Sequence, residues 1–487
     1  MLDVRCSMFV FFFVFLVAFS LFSTGCTLAP PYTRPEAPVP GEWPGGEAYR
    51  EIPVSSGPSA APETPWRNFF VDETLQKVIE EALNNNRDLR LAALNVERAR
   101  ALYGIQRAEV FPVLEANASG GKERIPADLS TRGNAVTAEQ YSVNLGLISW
   151  EIDFFGRIRS LQDRALEEFL ATEQARRSTE ILLVAAVANA YLTLAADREN
   201  LKLAQNTWET QKGAYDLVKR RFEVGLASEL DLNRAQTPVD TARGDIARFR
   251  QLAAQDENAL NLLVGAPSLR LSEIRPADLA GVKPPREISA GLSSEVLLRR
   301  PDIMAEEHRL KATNANIGAA RAAFFPRISL TTFIGTASSE LSGLFKAGSD
   351  TWAFVPQIHM PIFDARLWSG LEATKVQREI ALTQYEKAIQ TAFREVADAL
   401  AVRGTVDQQL AAQQSLVDAN SKTYRLSQAR YDKGIDSFLS VLDAQRSLYA
   451  AQQGLVGLRL AKIANQVRLY AVLGGGVDQA ISQPDGL

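Results

Sequence analysis

Few residues in this chain of 487 could carry out enzymatic chemistry, because it contains only two histidines and two cysteines. His308 lies in an Ala-, Arg- and Glu-rich segment, and His359 stands beside Met360-Pro361. Neither belongs to a recognisable cluster of cysteine, histidine and carboxylate residues, which metal binding and acid–base catalysis require. We therefore interpret both histidines as structural. We expect a protein that is not an enzyme and has neither a metal site nor a dissociable cofactor.

Cys26 is the residue with the clearest chemical context. Arg5 is the only positive side chain before an almost continuously apolar stretch at 8–22, as in a secretory leader. Ser23-Thr24-Gly25 then places small residues directly before Cys26, which resembles a bacterial lipobox. We predict a signal peptide at 1–25, cleavage before Cys26 and a covalent lipid (palmitate among the acyl chains) on that cysteine. The alternative is an uncleaved anchor helix with an incidental cysteine.

The segment that follows Cys26 is rich in proline and glycine and has few periodic apolar positions. Such a sequence disfavours helix and favours an extended or polyproline II conformation. We predict a lipid-anchored, extended N-terminal arm at 26–71, which Trp43 and Trp66 attach to the folded body. A disordered linker is equally consistent with the sequence.

The bulk composition is that of an ordinary folded protein, with 46% hydrophobic and 23% charged residues. The net charge of −4 provides no basic surface, so nucleic acid is not an expected partner. After the leader we find no run of about 18 consecutive apolar residues, which a helical membrane span would need.

One structural unit is written twice in the sequence. Arg221–Ser228 (RFEVGLAS) resembles Arg430–Ser437 (RYDKGIDS) at an offset of 209 residues. Nearer the start of each copy the offset is 214, which places Phe111-Pro112 on Phe325-Pro326. Further matches at the second offset are Asp88 with Asp302 and Gly104 with Gly318. Such regular self-similarity indicates two structural repeats.

We predict a first repeat at 72–265, a connector at 266–293, a second repeat at 294–474 and a tail at 475–487. Each repeat has the pattern of one helix, two strands and two long helices. Each first helix ends before Phe-Pro, because proline disfavours helix in the residue that precedes it. The predicted elements are first helices at 72–110 and 294–324, β-hairpins at 113–150 and 327–360, and long helices at about 157–263 and 366–473.

The long helices carry a coiled-coil pattern of apolar residues at alternating spacings of three and four. This pattern occurs at Leu232, Ala235, Val239, Ala242, Ile246, Phe249 and Ala253, and at Val441, Ala444, Leu448, Ala451, Leu455 and Leu458. The helices before these seams would each be roughly 100 Å long. A soluble helical bundle would account for the seams, but it would leave the strands unexplained.

The predicted strands have the length of membrane-crossing strands, which need about 9 to 11 residues when tilted. Tyr141–Ile148 alternates between apolar and polar residues, as a strand with one lipid-facing side would. Four strands cannot close a barrel, and an open sheet edge in lipid leaves backbone groups unsatisfied. If the strands cross a membrane, copies of the chain must complete the barrel.

Several motifs together resemble those of a known family. They are Leu298–Ile303 (LRRPDI), Ala319–Pro326 (AARAAFFP), Asn86–Leu89 (NRDL), Ala92–Glu97 (AALNVE), Gly474–Gly476 and the Cys26 leader. They resemble the TolC-like outer-membrane efflux lipoproteins of the NodT subfamily, the outer-membrane factors of tripartite efflux systems. The resemblance covers essentially the whole chain.

The resemblance implies a mainly α protein with a transmembrane β part. Three copies would form a twelve-stranded barrel in the outer membrane, which continues into a twelve-helix periplasmic barrel with an equatorial domain. The connector and the tail would lie in that domain. The implied partners are two further copies, a periplasmic adaptor (membrane fusion) protein, an inner-membrane transporter and outer-membrane lipid.

The long helices of each repeat reverse direction at a glycine. Gly225 and Gly434 can adopt the left-handed conformation that ends a helix. Ser228 and Ser437 suit the N-cap of the returning helix, with Asp231 three residues after the first. The resemblance places both turns at the periplasmic tip, where they would meet the adaptor through Val224, Gly225, Leu226, Gly434 and Ile435. Two well-formed helical hairpins are the purely structural alternative.

The second returning helix carries Leu439, Asp443 and Arg446, of which the last two share a helix face. In the family, positions here line the constriction that closes the tunnel at rest. A solvated surface ion pair is the alternative interpretation. Pro238, opposite Ser447 in the second repeat, should kink the first returning helix.

Two functions fit these observations. The first is a passive outer-membrane duct of a tripartite pump, trimeric and lipid-anchored, which conducts cargo from the adaptor and transporter to the outside. The second is a lipid-anchored periplasmic coiled-coil scaffold or binding protein. A scaffold has no need for strands that alternate in a lipid-facing pattern, so the strands favour the duct.

Overall fold

The structure is a computed structural model that describes residues 27–49, 64–131, 133–265, 276, 278–288 and 293–476. The predicted signal peptide, Cys26, most of the connector and the tail after Gly476 lie outside the described residues. The fold is mainly helical, with one sheet.

Eight α-helices and four strands make up the described part of the chain. The helices are α1 (Trp66–Phe69), α2 (Glu73–Asn85), α3 (Arg87–Ala108), α4 (Arg157–Glu223), α5 (Glu229–Val264), α6 (Pro301–Ala322), α7 (Ala365–Asp432) and α8 (Phe438–Val472). The strands are β1 (Leu114–Ile125), β2 (Val136–Ile152), β3 (Arg327–Ser338) and β4 (Asp350–His359). Each repeat therefore contributes a hairpin and two long helices, and β2 extends two residues beyond the predicted hairpin.

The predicted single helix at 72–110 is wrong, because Asn86 divides it into α2 and α3. Asn86 is extended (ψ 133°), and its side-chain oxygen accepts hydrogen bonds from the backbone N–H groups of Asp88 and Leu89. Asparagine competes with helical hydrogen bonding in this way. The side chain thus caps the start of α3 while it ends α2.

The helix predicted at 294–324 also begins later than expected. Ser294–Arg299 form a 3-10 helix, and α6 starts at Pro301, where a proline is well tolerated in the first turn. The extended conformation predicted for 26–71 fails at its end, because Trp66–Phe69 form one helical turn directly after Pro65. Before that, apart from a short turn at Glu47–Tyr49, the described arm has no helix or strand.

The two repeats share individual hydrogen bonds as well as elements. The Asn86 side-chain amide donates to the carbonyl of Leu263 at 2.8 Å. Arg300, the equivalent residue at the 214 offset, donates to the carbonyl of Val472 at 2.7 Å. Leu263 and Val472 are themselves equivalent at the 209 offset. In both repeats this bond joins the start of the first main helix to the end of the last one.

The four strands form one antiparallel sheet in the order β1-β2-β3-β4. Directly opposite residues share a face of a sheet. One face carries the apolar row Ala116, Leu145, Ile334 and Trp352, and the other carries the row Asn117, Asn144, Gly335 and Thr351. A β-bulge between Leu147 and Trp150 interrupts β2, where Ser149 has a φ of 53°. The alternation matches that of membrane-crossing strands.

The described chain divides into two compact units. One unit contains the sheet and comprises the described residues of 27–35, 96–172 and 306–385. The other contains both helical turns and comprises those of 36–95, 173–305 and 386–476.

In the unit that contains the sheet, the N-terminal arm is bound to α6. Arg34 makes two hydrogen bonds to the buried carboxylate of Glu307, at 3.1 and 2.7 Å, and Tyr32 donates to the same carboxylate. The side chains of Asn314 and Arg321 donate to carbonyls of the arm, those of Pro30 and Leu28. Charge-assisted bonds of this kind are stronger than neutral ones, so the start of the arm, up to Pro35, is a fixed part of this unit.

In the other unit, aromatic side chains of α1 form the core with α8. The rings of Phe69 and Tyr470 stack with centroids 4.2 Å apart, and Trp66 is fully buried beside them. The Tyr470 hydroxyl donates to the carbonyls of Thr64 and Gly476. One window of α4 has the composition of a membrane span, but 67% of it is buried, which is typical of a core helix.

A substitution at Gly318 of α6 tests whether the arm packs against this helix. A Cβ atom there would lie 2.8 Å from the Ala29 backbone nitrogen and 2.7 Å from the Ser160 hydroxyl. We expect Gly318→Ala to displace the arm and to cost about 1–3 kcal/mol, as overpacking does. The measurements are thermal unfolding in detergent and protease cleavage within the arm.

Gly104, the repeat equivalent of Gly318, is the matched control. Nothing lies within 4 Å of a Cβ atom at Gly104. Gly104→Ala should therefore leave the arm protected and stabilise α3 by about 0.5–1 kcal/mol. Equal behaviour of the two variants would contradict the packing of the arm against Gly318.

Candidate functional site at the helical turns

The two turns between the long helices have the same backbone geometry. Gly225 and Gly434 have φ values of 74° and 72°, in the left-handed region. In the first turn, the N–H groups of Gly225 and Leu226 donate to the carbonyls of Phe222 and Arg221. The second turn repeats both bonds at the equivalent positions, with Gly434 and Ile435 as donors. Each turn is therefore a Schellman motif, in which glycine is the favoured residue.

The N-caps of the returning helices differ. Ser228 forms a capping box with Asp231, and the hydrogen bonds from Ser228 lower the pKa of the Asp231 carboxyl. Ser437 occupies the N-cap position of α8, as predicted, but its side chain makes no capping hydrogen bond. The equivalent of Asp231 is Ser440, which lacks a carboxylate to complete the box. Instead, Asp436 pairs with Arg430 across the turn.

Apolar side chains at the turns face solvent in the single chain. Val224, Leu226 and Ile435 are 69%, 71% and 58% exposed. Hydrophobic residues clustered at an exposed tip mark a protein-contact surface more often than isolated ones do.

Two contacts join the first helical hairpin (α4 and α5) to the second (α7 and α8). The Arg221 guanidinium donates to the Tyr431 hydroxyl at 2.8 Å and lies 5.9 Å from the centre of that ring. Deeper along the helices, the Tyr449 hydroxyl donates to Asp245 at 3.0 Å. Burial and the Asp245 carboxylate raise the pKa of Tyr449, so this hydroxyl stays protonated at neutral pH. The contacts connect the hairpins near the turns.

No local pattern in the sequence predicts either contact. Arg221 and Tyr431 fall inside the repeat motif, so they were interpreted only as evidence of duplication. Asp245 and Tyr449 each stand beside a seam residue on helices that do pack together. That position beside the seam indicates a place at the helix interface. It does not identify the partner, because the two residues are 204 positions apart in the chain.

The structure brings together the three residues predicted for the constriction. Leu439, Asp443 and Arg446 line one cavity of about 240 Å³ between α5 and α8. Asp443 and Arg446 form an ion pair at 3.1 Å, with 55% and 81% of their side chains exposed. An exposed pair of this kind contributes at most about 1 kcal/mol to stability. Its position beside the cavity, rather than its strength, makes it a candidate gate.

Pro238 lies in the wall of the same cavity. It sits inside α5 and has no N–H group to bond to the carbonyl of Arg234, which also lines the cavity. Ser447 occupies the equivalent position in α8 and keeps its N–H group. The two returning helices therefore differ in backbone bonding beside the candidate gate.

The described residues contain no group of three or more metal-ligating side chains. Nδ1 of His308 is 2.6 Å from the Glu167 carboxylate, which gives this histidine a structural partner. The exposed side chains around the turns are suited to protein contact and to ion pairing.

Comparison with known proteins places the chain in a family. The family model described as "Outer membrane efflux protein" matches residues 78–266 and 292–475. A probable efflux pump outer membrane protein of Pseudomonas putida, TtgC, is 50% identical over 460 residues and is covered to 93%, as is this chain. Outer membrane protein OprJ of Pseudomonas aeruginosa is 42% identical, with 94% of each chain covered.

Solved structures show the same fold. A membrane protein from Pseudomonas aeruginosa matches with a TM-score of 0.87 and 40% identity, over 94% of this chain and 99% of that one. The open state of the MtrE outer membrane channel of Neisseria gonorrhoeae matches with a TM-score of 0.82 and 35% identity, over 93% and 99%.

The two family matches coincide with the two repeats, and both relatives and the MtrE channel are named as outer-membrane proteins. These findings confirm the TolC-like fold class inferred from the sequence, and the family is one of transport proteins rather than enzymes. The chain belongs to the outer membrane efflux protein family and is an efflux channel protein of the outer membrane.

Proposed function

We propose that this chain is the outer-membrane subunit of a tripartite pump, in which three copies form one passive duct. The four-stranded sheet carries the proposal, because it has an apolar face and two outer edges that no other described strand covers. Backbone groups on an open edge cannot remain unpaired in lipid. Single-chain barrels begin at about eight strands, so this sheet needs copies of itself.

The number of copies and the other components rest on family likeness. The relatives TtgC and OprJ are named as outer membrane proteins, and TtgC as part of an efflux pump. Three chains would supply twelve strands and twelve long helices, in agreement with the TolC-like resemblance. An inner-membrane transporter and a periplasmic adaptor would deliver the cargo, and the duct itself would supply no energy.

The exposed turns suit the adaptor contact. Val224, Gly225 and Leu226 form one apolar tip, and Gly434 with Ile435 forms the other. Small and apolar residues allow a partner helix to approach closely and to exclude water from the contact. The two Schellman motifs hold both tips in one backbone conformation, which reduces the entropy lost on binding.

Charged substitutions at the tips test the adaptor contact. Leu226→Asp together with Ile435→Asp should weaken binding to the adaptor of the host at least about tenfold, because an unpaired buried carboxylate costs more than about 1.4 kcal/mol. The measurement is binding of purified adaptor to the channel in detergent. Leu416→Asp, at a half-exposed leucine within α7, is the control and should bind normally. Normal binding by the tip variant would exclude these residues from the contact.

We propose that Leu439, Asp443 and Arg446 close the duct at rest. The ion pair lies in the wall of the cavity beside Pro238, and the contacts Arg221–Tyr431 and Tyr449–Asp245 keep the two pairs of long helices together. Opening would require the second pair of long helices (α7 and α8) to move relative to the first pair (α4 and α5) and to break these contacts.

The gate is tested by removing its ion pair. Asp443→Ala together with Arg446→Ala should raise the single-channel conductance in planar bilayers, because both side chains narrow the proposed constriction. Asp240→Ala with Arg243→Ala removes an exposed pair with the same spacing from α5 and should leave the conductance unchanged. Unaltered conductance in the α8 variant would refute the proposed gate.

We propose that Cys26 anchors the mature chain through covalent lipid. The docking of the arm supports this proposal, because Thr27, the next residue, contacts Ser160 at the start of α4. Ser160 lies eight residues after β2 ends, so Thr27, the residue after the predicted lipid site, is held near the end of that strand. Lipid chains there could enter the same membrane, and each buried methylene adds about 0.8 kcal/mol.

Mass spectrometry of the mature N-terminal peptide tests the anchor. The wild-type peptide should begin at Cys26 and carry acyl chains, whereas Cys26→Ser should lose the acyl mass. Cys6→Ser is the control and should keep it, because Cys6 lies in the predicted leader. A wild-type peptide without acyl mass would show that Cys26 is incidental.

A further inference from the structure

The sheet has two edges that are complementary to each other. The order β1-β2-β3-β4 leaves the outer sides of β1 and β4 without a partner strand among the described residues. These two strands cannot pair with each other within one chain, since three interstrand spacings of about 4.8 Å separate them. A partner for either edge must therefore be another strand of complementary pattern.

The internal repeat predicts how the two edges pair with each other. Within the chain, β2 ends the hairpin of the first repeat and pairs with β3, which begins the hairpin of the second. Their repeat equivalents are β4 and β1. The offsets of 209 and 214 carry the observed pair Tyr141–Ser338 onto Asp350 and Arg124.

We propose that β4 of one copy pairs antiparallel with β1 of the next, with Asp350 opposite Arg124 and His359 opposite Glu115. This inference rests on the proposed assembly of several copies, and it adds the register of the seam between them. The partner is a second copy of this chain.

The faces of the sheet restrict the possible registers. Trp352 and Phe354 of β4 lie on the apolar face, as do Ala116 and Ala118 of β1. A slip of one residue would turn one strand over and place its polar side chains in lipid. Only the proposed register and slips of two residues keep the apolar face continuous.

Charge complementarity distinguishes the proposed register from the two-residue slips. Asp350 and Arg124 are both exposed, and neither makes an ion pair within the part of the chain that the structure describes. A slip in one direction would place Asp350 opposite Pro126. A slip in the other direction would place Asp350 opposite Lys122, which already pairs with Glu139, and His359 opposite Val113, which precedes β1. The sheet already uses a pair of opposite charges at this level, since Lys122 lies directly opposite Glu139 and forms an ion pair with it.

At the other end of β4, the proposed register places His359 opposite Glu115. Both side chains are exposed and lie on the polar face. An imidazole and a carboxylate can form a hydrogen bond across the seam whether or not the histidine is protonated. The slip that brings Asp350 to Pro126 would replace Glu115 with Asn117 and lose this complementarity as well.

The shapes of the edges also fit. On the apolar face, Phe354 and Ile358 of β4 would lie opposite Gly120 and Ala116 of β1 in the proposed register. Large side chains opposite small ones fill the seam without overlap. Pro356 has no N–H group, so the sheet has one hydrogen bond fewer at that position in any register.

Disulfide trapping tests the register. In the full-length chain, Asp350→Cys combined with Arg124→Cys places two thiols directly opposite each other, at a Cβ separation close to that of a disulfide. Mild oxidation should convert the protein to covalent trimers on non-reducing gels. The matched controls are Asp350→Cys with Pro126→Cys and Asp350→Cys with Lys122→Cys, which correspond to the two slips and should cross-link much less.

The mass of each sample in detergent, measured before oxidation, separates this inference from the proposed function. Trimers that cross-link through a control pair would overturn the register and leave the assembly standing. Trimers that cross-link through no pair would overturn the β4–β1 seam. A monomeric sample would contradict the assembly and the seam together.

Charge reversal provides a second measurement that needs no cysteine. Asp350→Arg or Arg124→Asp alone should lower the temperature at which trimers dissociate in SDS by several degrees, because like charges then face each other. The double variant Asp350→Arg with Arg124→Asp should recover most of that loss. The pairing would be contradicted if the dissociation temperature of the double variant fell by the sum of the two single losses.

Discussion

The backbone hydrogen bonds of four strands in a membrane constrain everything else in this protein. Water cannot satisfy an open edge inside lipid, and four strands are too few to close on themselves. The sheet of one chain can therefore be only part of a larger barrel. The apolar row that includes Leu145, Ile334 and Trp352 faces outward only if the polar row faces a lumen. In the proposed assembly, copies of the chain therefore meet edge to edge, and their long helices follow the same symmetry.

Duplication of one unit provides two β-hairpins and two pairs of long helices from one local design. The Asn86–Leu263 and Arg300–Val472 bonds and the two Schellman turns show that the repeats retain the same local solutions. Several differences between the repeats lie near the turns. A capping box fixes the start of α5, α8 lacks one, and Pro238 weakens only α5. A ring of nearly identical hairpins could thus contain two kinds of tip, of which one moves more readily than the other.

Local signals in the sequence were sufficient for most of the fold. Phe-Pro pairs, alternation in the strands and glycine at the turns depend on neighbours along the chain, and the structure contains the elements they predicted. At Asn86 the break comes from the side-chain oxygen, which caps α3 through the N–H groups of Asp88 and Leu89. The bond from the same side chain to Leu263, far away in the sequence, is one that no local pattern predicts. At Ser437 the second repeat keeps the serine of the N-cap but has Ser440 in place of the carboxylate that completes the capping box in the first repeat. At the candidate site, Asp443 and Arg446 were predicted from resemblance, whereas Tyr449–Asp245 required the packing of two helices.

The assembly of copies is the central claim, and native mass spectrometry of the mature protein extracted in detergent tests it most directly. The account predicts one species with three times the mass of the lipidated chain, which dissociates only when the detergent no longer protects the sheet. A protein that stays monomeric and soluble in water once its acyl anchor is removed would contradict the account, since its sheet edges would then need no partner.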